Sequence, residues 1–335
     1  MSNETVRVGL NGFGRIGRNV FRASLDSDAV EIVGINDVME DGEIEYLARY
    51  DSVMGRLDGA SLDDGTLSVD GTDLEAGVFH ETDPTQLPWK ELDVDVAFEA
   101  TGIFRSHEDA SQHLDAGADK VVISAPPKGD TPVKQLVYGV NHDEYNGQDI
   151  VSNASCTTNS ITPVAKILNE EFGIESGQLT TVHAYTGTQN LIDGPNSKPR
   201  RRRAAAENII PTTTGAAQAA TEVLPGLEGK LDGMAMRVPV PDGSITEFVC
   251  TLEDDATEGD INAVFRDAAA GEMEGVLGVS DDAIVSRDVL GQPYSTLVDL
   301  ENTNIVNGLV KVLTWYDNEF GFANRMLDLA EHIHE

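Results

Sequence analysis

The sequence predicts an α/β chain whose first half is a doubly wound, mainly parallel sheet. Three observations carry that reading. A glycine-rich turn joins a short apolar strand to a helix near the start, an acid closes the second strand, and strand and helix patterns keep alternating through the first half. With 335 residues the chain is long enough for two domains of the usual ~100–200 residues each.

Residues 6–10, Val-Arg-Val-Gly-Leu, read as the first strand, and a helical pattern with Ile16, Val20, Phe21 and Ser24 on one side follows. Between them Gly12, Gly14 and Gly17 form G-x-G-x-x-G. That spacing suits a tight turn, close approach of backbone to a pyrophosphate, and close packing of helix on strand, the dinucleotide-binding (Rossmann) arrangement. The helix start adds free N–H donors and the positive end of its dipole, so Gly12, Gly14, Arg15, Ile16 and Gly17 are expected to hold the cofactor. A second strand, residues 30–37, ends in Asp37, 20 residues beyond Gly17. A carboxylate there meets the adenosine ribose hydroxyls and repels a 2′-phosphate, favouring NAD over NADP; the alternative is a plain strand-end turn residue. Residues 95–100, 121–125 and 136–140 read as further strands. Ser106–Asp109 looks like a capping box opening a helix to about Gly117. The Gly/Asp-rich stretch near residues 55–73 looks like hairpins and loops.

Composition narrows the partners. The chain carries 23 basic and 58 acidic residues, a net charge of −35, and lysine is scarcer than arginine. Such a field repels nucleic acid and anionic membranes, so neither is expected as a partner. It also strains the compact state unless salt screens it, which points to a high-salt cytoplasm; an acidic mesophilic protein is the alternative. Apolar runs such as Val121–Ile123 are far shorter than the roughly 20 residues of a membrane helix, and the opening Met-Ser-Asn-Glu shows no secretory pattern, so a cytoplasmic location is expected. Two cysteines are too few for a zinc cage, and no metal site is expected. Cys250 shares a strand face with Phe248 and Leu252 and reads as core.

Cys156 reads differently. Residues 149–159, Asp-Ile-Val-Ser-Asn-Ala-Ser-Cys-Thr-Thr-Asn, run from a strand into a helix continuing through Ile161–Phe172, which puts the thiol near a helix N-terminus. The dipole and free N–H groups there favour a thiolate and could hold an oxyanion. A buried structural cysteine is the alternative, but its neighbours are Ser, Thr and Asn. A thiol needs a base, and His183, inside a strand that leads into a loop, is the best placed of seven histidines. A lone strand histidine can equally be packing.

Asn11–Arg18, Ser-Asn-Ala-Ser-Cys-Thr-Thr-Asn around Cys156, His-Ala-Tyr-Thr-Gly-Thr-Gln from His183, Ile-Ile-Pro-Thr-Thr-Thr-Gly-Ala-Ala from Ile209, Met236-Arg-Val-Pro and Trp315-Tyr-Asp-Asn-Glu together resemble the phosphorylating, bacterial-type glyceraldehyde-3-phosphate dehydrogenases, in the family's order from residue 5 to about 330. The resemblance implies an NAD domain over 1–154, with a helix over 318–335 packing back on it, and an α+β catalytic domain over 155–317 with a mainly antiparallel or mixed sheet. It implies that Cys156 attacks the aldehyde while His183 takes its proton, and that hydride transfer to NAD leaves a thioester cleaved by inorganic phosphate. By resemblance Thr186, Thr188 and Arg237 bind the phosphate of glyceraldehyde 3-phosphate, and Ser155, Thr157, Thr214 and Gly215 the attacking phosphate; Thr212–Thr214 could otherwise be an ordinary turn. Arg201 aligns with a phosphate-binding arginine in the four-arginine run Arg200–Arg203, which a nucleic-acid patch explains less well in so acidic a chain. Asn318 matches the asparagine that holds the nicotinamide carboxamide, and Thr101, Gly102, Ser124 and Pro195 the remaining cofactor contacts. A homotetramer is implied in the same way. Phe322 stands where many relatives have tyrosine, and Thr82 where many have arginine. Erythrose-4-phosphate and aspartate-semialdehyde dehydrogenases, and a non-catalytic NAD-binding scaffold, are the competing readings.

The charge reading predicts that folding stability falls steadily as salt is lowered from molar to tens of millimolar. Thermal unfolding across a salt series checks it; a melting temperature that stays level would reject it.

Overall fold

The computed structural model describes residues 5–334, and they form two compact units. The first comprises the chain up to Leu136, residues 142–154 and the C-terminal segment from Ala323; the second comprises residues 137–141 and 155–322.

The first unit is built on a nine-stranded sheet. Its strands run in the order Lys134–Gln135, Ile150–Ser152, Lys120–Ile123, Val96–Glu99, Val6–Asn11, Val30–Asn36, Glu75–Phe79, Thr66–Val69, Ala60–Asp63. The first seven pair in parallel, and the last two close the edge as an antiparallel hairpin. The central strands are apolar on both faces, with Val8, Leu10, Ile32, Ile35, Val96 and Phe98 fully buried, as a sheet covered on both sides requires. From Val6–Asn11 the chain builds outward in one direction, then crosses to Val96–Glu99 and builds in the other. The carboxyl ends of these two strands are therefore the point at which a doubly wound sheet opens a ligand crevice.

Two of the turn glycines have no substitute. Gly12 has φ +101°, and a Cβ there would fall 2.6 Å from the backbone nitrogen of Thr101. At Gly17 a Cβ would lie 2.0 Å from the carbonyl oxygen of Gly12, so the helix Arg15–Ser24 can start this close to its strand only with glycine.

Two expectations need correction. Residues 136–140 are not a strand; the strand is Lys134–Gln135, and the segment after it turns. Val137 N–H donates to the Asn141 side chain, Val140 and Asn141 N–H return to the Val137 carbonyl, and Gly139 takes φ +81°. Leu136, Val137 and Val140 are buried, so the apolar run is real, but it packs as a turn. The helix after Ser106 is two short pieces, His107–Ala110 and Gln112–Asp115, although Ser106 does cap it by accepting from Asp109 N–H.

In the second unit a seven-stranded mixed sheet has the order Ile210–Thr213, Leu231–Val238, Ile174–Ala184, Ser244–Leu252, Leu309–Tyr316, Thr296–Val306, Leu277–Ser280. Four of its pairings are antiparallel; Ile174–Ala184 with Leu231–Val238, and Thr296–Val306 with Leu277–Ser280, are parallel. The helix Cys156–Phe172 lays Ile161, Val164, Ala165 and Leu168 into a core with Leu179, Phe248, Cys250 and Val312. That is the i, i+3, i+4, i+7 stripe of a helix on a sheet, and Cys250 is part of the core, as its strand position indicates.

Gly17→Ala is expected to cost about 2 kcal/mol of stability or more through overpacking, whereas Gly14→Ala should cost well under that because a Cβ at Gly14 meets nothing within 4 Å. Urea unfolding at fixed high salt compares them; equal losses would contradict the close approach at Gly17.

Candidate active site

Two sites can be built, one in each unit. In the first, Gly12, Gly14, Asp37 and Thr101 line a cleft of about 330 Å³ at the strand ends, with Val38 and Ile103 as exposed apolar lips. Gly14 is exposed and faces open space, so its backbone and the first N–H groups of Arg15–Ser24 can be reached by a phosphate. Ile16 and Gly17 lie in that helix. Asp37 ties the turn down: it accepts from Phe13 N–H at 2.7 Å and from Met39 N–H at 3.1 Å. It is thus a turn-fixing residue as well as a carboxylate on the cleft. Arg15 directs its guanidinium to Asp51, whose carboxyl group is held low: burial works to raise it, but Met54 and Val53 N–H and Arg15 outweigh that. Gly102 follows Thr101 with φ +73°, and Ser124 is held by its N–H on the Glu99 carbonyl. These donors, the glycine cradle and the Asp37 carboxylate on the cleft fit a dinucleotide.

Sequence reasoning missed what supports this cleft. Glu99, fully buried, accepts from Asn11 Nδ2 at 2.7 Å and Thr101 N–H at 2.9 Å, and the Thr101 hydroxyl bonds it too. Trp89 Nε1–H points at His113 Nδ1, 3.1 Å away, which leaves the ring proton on Nε2, facing Glu99 at 3.2 Å. The signal was available: an acid inside Val-Ala-Phe-Glu, a strand otherwise apolar.

In the second unit Cys156 is the first residue of its helix. Ser155 is the N-cap, its hydroxyl accepting from Thr158 N–H at 3.1 Å and bonding the Thr158 hydroxyl at 2.7 Å. Cys156 Sγ lies 3.4 Å from His183 Nε2, within the reach of a nucleophile–base pair. Sheet register supplies the third member: on the parallel neighbour strand Arg237 stands opposite His183. Arg237 Nη1 is 2.8 Å from the Ala184 carbonyl and 2.7 Å from His183 Nδ1. Tyr316 forms a wall, edge-on to His183 at 6.0 Å, its hydroxyl between those of Thr157 and Thr181. Thr157 therefore uses its hydroxyl internally, and both that hydroxyl and its backbone N–H act on the Cys156 sulfur.

Burial dominates the electrostatics. Enclosure pushes the Cys156 thiol up to about 11, against the pull of Arg237 and Thr157. Enclosure and then Arg237 push His183 down to about 3. Enclosure thus opposes at Cys156 what the helix start favours, and His183 is the group within reach of the thiol. Burial lowers Arg237, Arg201 and Lys198 alike, and among the described residues none of the three is ion-paired to a carboxylate.

The other expected residues fall into smaller groups. Thr186 and Thr188 share a hydroxyl–hydroxyl contact of 2.9 Å. Arg201 donates to Thr212 at 3.1 Å, and Lys198 to Thr213 at 2.7 Å, joining the arginine run to the threonine strand. Thr214 accepts from Ala216 N–H, and Gly215 precedes the helix Ala216–Val223. Asn318 is fixed by Ser244, which donates to its Oδ1 at 2.6 Å; Pro195 lies in an exposed loop, its carbonyl accepting from Asn190. Phe322 is buried and Thr82 is exposed on the cleft of the first unit. Asp242, which sequence reasoning passed over, is buried and raised first by burial, then by Asp317 and Glu319.

His183 makes a pH prediction. Its folded value lies below the unfolded one, so between them the unfolded state binds more protons and stability falls as pH drops below about 6.5. The wild type should lose up to about 1.4 kcal/mol per pH unit more than His183→Asn over pH 6 to 4. Chemical denaturation of both across that range measures it, and parallel curves would contradict a buried neutral imidazole.

Residues 6–107 match the family model described as glyceraldehyde 3-phosphate dehydrogenase, NAD binding domain, and residues 155–318 the one described as glyceraldehyde 3-phosphate dehydrogenase, C-terminal domain. Glyceraldehyde-3-phosphate dehydrogenase of Haloarcula vallismortis is 80% identical over 335 residues, the whole of both chains. The enzymes of that name from Geobacillus stearothermophilus and Streptomyces coelicolor are 49% and 50% identical, each over 98% of both chains. With the dinucleotide cleft in one unit and a cysteine–histidine–arginine site in the other, the chain belongs to the glyceraldehyde-3-phosphate dehydrogenase family.

Proposed function

We propose that this protein oxidises glyceraldehyde 3-phosphate with NAD and inorganic phosphate to 1,3-bisphosphoglycerate, reversibly, through a thioester on Cys156. The observation that carries the reading is the 3.4 Å approach of Cys156 Sγ to His183 Nε2, with Arg237 in register beside the base. Cys156 adds to the aldehyde carbon as His183 takes the thiol proton, and the alkoxide oxygen of the thiohemiacetal draws on the free N–H groups at the start of Cys156–Phe172. NAD, when bound, supplies the hydride acceptor. Gly12, Gly14, Arg15, Ile16, Gly17, Asp37, Thr101, Gly102 and Ser124 hold it in the first unit. The enclosure of His183 keeps it a neutral base at the start of each turnover. Inorganic phosphate then attacks the thioester carbon and returns Cys156 as leaving group, and His183 gives back its proton.

Arg237, with Thr186 and Thr188, holds the phosphate of the substrate, and Ser155, Thr157, Thr214 and Gly215 the attacking phosphate, with Arg201 beside them. A forked cation among neutral hydroxyls is the donor set that suits phosphate. The working form is a homotetramer in the cytoplasm; Leu191, Ile192 and Ile209, all largely exposed, give the loop between residues 185 and 209 an apolar surface that a second copy would cover. No described helix is long and apolar enough to cross a membrane.

NADH formation from glyceraldehyde 3-phosphate at high salt, with and without inorganic phosphate, tests the scheme in wild type and Cys156→Ser. Turnover should require phosphate and fall by at least about a thousandfold in the variant. Turnover indifferent to phosphate would point to thioester hydrolysis instead.

A further inference from the structure

We propose, on the strength of the NAD reading above, that Glu99 is a positioning residue for the dinucleotide. As the shared acceptor of a buried hydrogen-bond chain, it holds Thr101 in its binding position on the cleft before any cofactor arrives. The direction of that chain is fixed at every link.

The Asn36 side chain lies between the two backbone groups of Glu81. Its Oδ1 accepts from Glu81 N–H at 2.8 Å, and its Nδ2 donates to the Glu81 carbonyl at 2.9 Å. Backbone groups cannot exchange donor and acceptor roles, so the Asn36 amide has one orientation. Asn36 Nδ2 also donates to Asn11 Oδ1 at 2.7 Å, which turns Asn11 Nδ2 onto Glu99 Oε2, 2.7 Å away. From the other side the Trp89 indole, a donor only, occupies His113 Nδ1 and leaves Nε2–H for Glu99 Oε2. Asn11 Nδ2 and His113 Nε2 are 3.5 Å apart, donor beside donor, and both turn to the carboxylate. Glu99 Oε1 takes Thr101 N–H at 2.9 Å and the Thr101 hydroxyl, whose oxygen in turn accepts from Ile103 N–H at 3.0 Å.

These links run beneath the cleft from one side to the other. Asn36 ends the strand on one flank of Val6–Asn11, Thr101 follows the strand on the other flank, and both line the cleft with Asn11, Glu81 and Ile103. Thr101 has little room to move. A Cβ at Gly12 would fall 2.6 Å from its nitrogen, so Thr101 packs directly on the glycine turn. Displacing it from Glu99 therefore disturbs the turn as well.

A glutamine has the shape of Glu99 but only one accepting oxygen. With that oxygen kept for Asn11 and His113, its NH2 meets Thr101 N–H, donor against donor. The loss then falls on Thr101, the one donor of the set whose backbone lines the far side of the cleft.

The test compares intact wild type and Glu99→Gln at high salt, by hydrogen exchange resolved to the Thr101 amide and by calorimetric titration with NAD. In wild type Thr101 N–H should exchange slowly without NAD and change little when NAD saturates. In the variant it should exchange fast, and the Kd for NAD should rise about tenfold or more, the effect of one buried donor left unpaired. The KM for NAD should rise with it, while kcat at saturating NAD and the KM for glyceraldehyde 3-phosphate stay at their wild-type values. A variant that loses stability but keeps the wild-type Kd would show a merely structural role and overturn the inference. Fast exchange of Thr101 in NAD-free wild type would overturn it too, and that reading needs no folded variant. Wild type that binds no NAD would sink the cofactor reading itself, whereas NAD binding with a freely exchanging Thr101 sinks the positioning role alone.

Discussion

The enclosure of a thiol and an imidazole beside one guanidinium is the constraint on which the second unit's chemistry depends. Burial alone would leave both Cys156 and His183 neutral and inert, because each charged form loses its hydration. Arg237 cuts both ways. It favours a thiolate on Cys156 and disfavours an imidazolium on His183. The balance between their charged and neutral forms therefore depends on the position of one cation, and that position comes from sheet register. Parallel pairing of Ile174–Ala184 with Leu231–Val238 puts His183 and Arg237 opposite each other, and a slip of one residue would send Arg237 to the other face. The core formed by Leu179, Phe248 and Val312 against the helix Cys156–Phe172 fixes that register and the height of the thiol together.

The first unit solves a different problem with the same economy of parts. Its cleft must expose backbone N–H groups without losing the turn that presents them. Gly12 and Gly17 bring the helix against its strand, and Asp37 closes the turn through Phe13 N–H. Beneath lies the carboxylate of Glu99, fully buried and bonded by Asn11, Thr101 and His113. An uncompensated charge there would cost several kcal/mol. The donors around it make it a clamp, locking the ends of Val6–Asn11 and Val96–Glu99 where the sheet changes direction.

Much of this was legible in the sequence because it is written locally. The glycine spacing, Asp37 after its strand, and Cys156 after a Ser-Asn-Ala-Ser segment depend on neighbours in the chain. What was hidden depends on pairing between distant segments. Nothing near Arg237 in sequence says that it meets His183. The Glu99–His113–Trp89 chain joins three elements, and His113 by itself looks like one more helical residue. The segment at residues 136–140 misled for a related reason: a buried apolar run looks alike in a strand and in a packed turn, and only the bond from Val137 to Asn141 decides between them. The enclosure around Cys156 was hidden for the same reason, because the side chains that make it come from far away in the chain.

The charge of the whole and the charge of the site pull against each other. A chain at −35 repels any phosphate ester at long range. Near molar salt the screening length shrinks to about 3 Å, which removes that barrier and equally removes any steering by distant cations. Recognition of a phosphate must then come from groups in direct contact with it. The trio Lys198, Arg201 and Arg237, tied through its first two members to Thr213 and Thr212 and free of carboxylate partners among the described residues, has that character. Elsewhere Arg266, Arg56 and Arg7 are engaged in ion pairs with Asp281, Asp58 and Glu31. In so acidic a chain, a cation left without an acid stands out against its surroundings, and the clearest group of them reaches, through Arg237, the imidazole of His183.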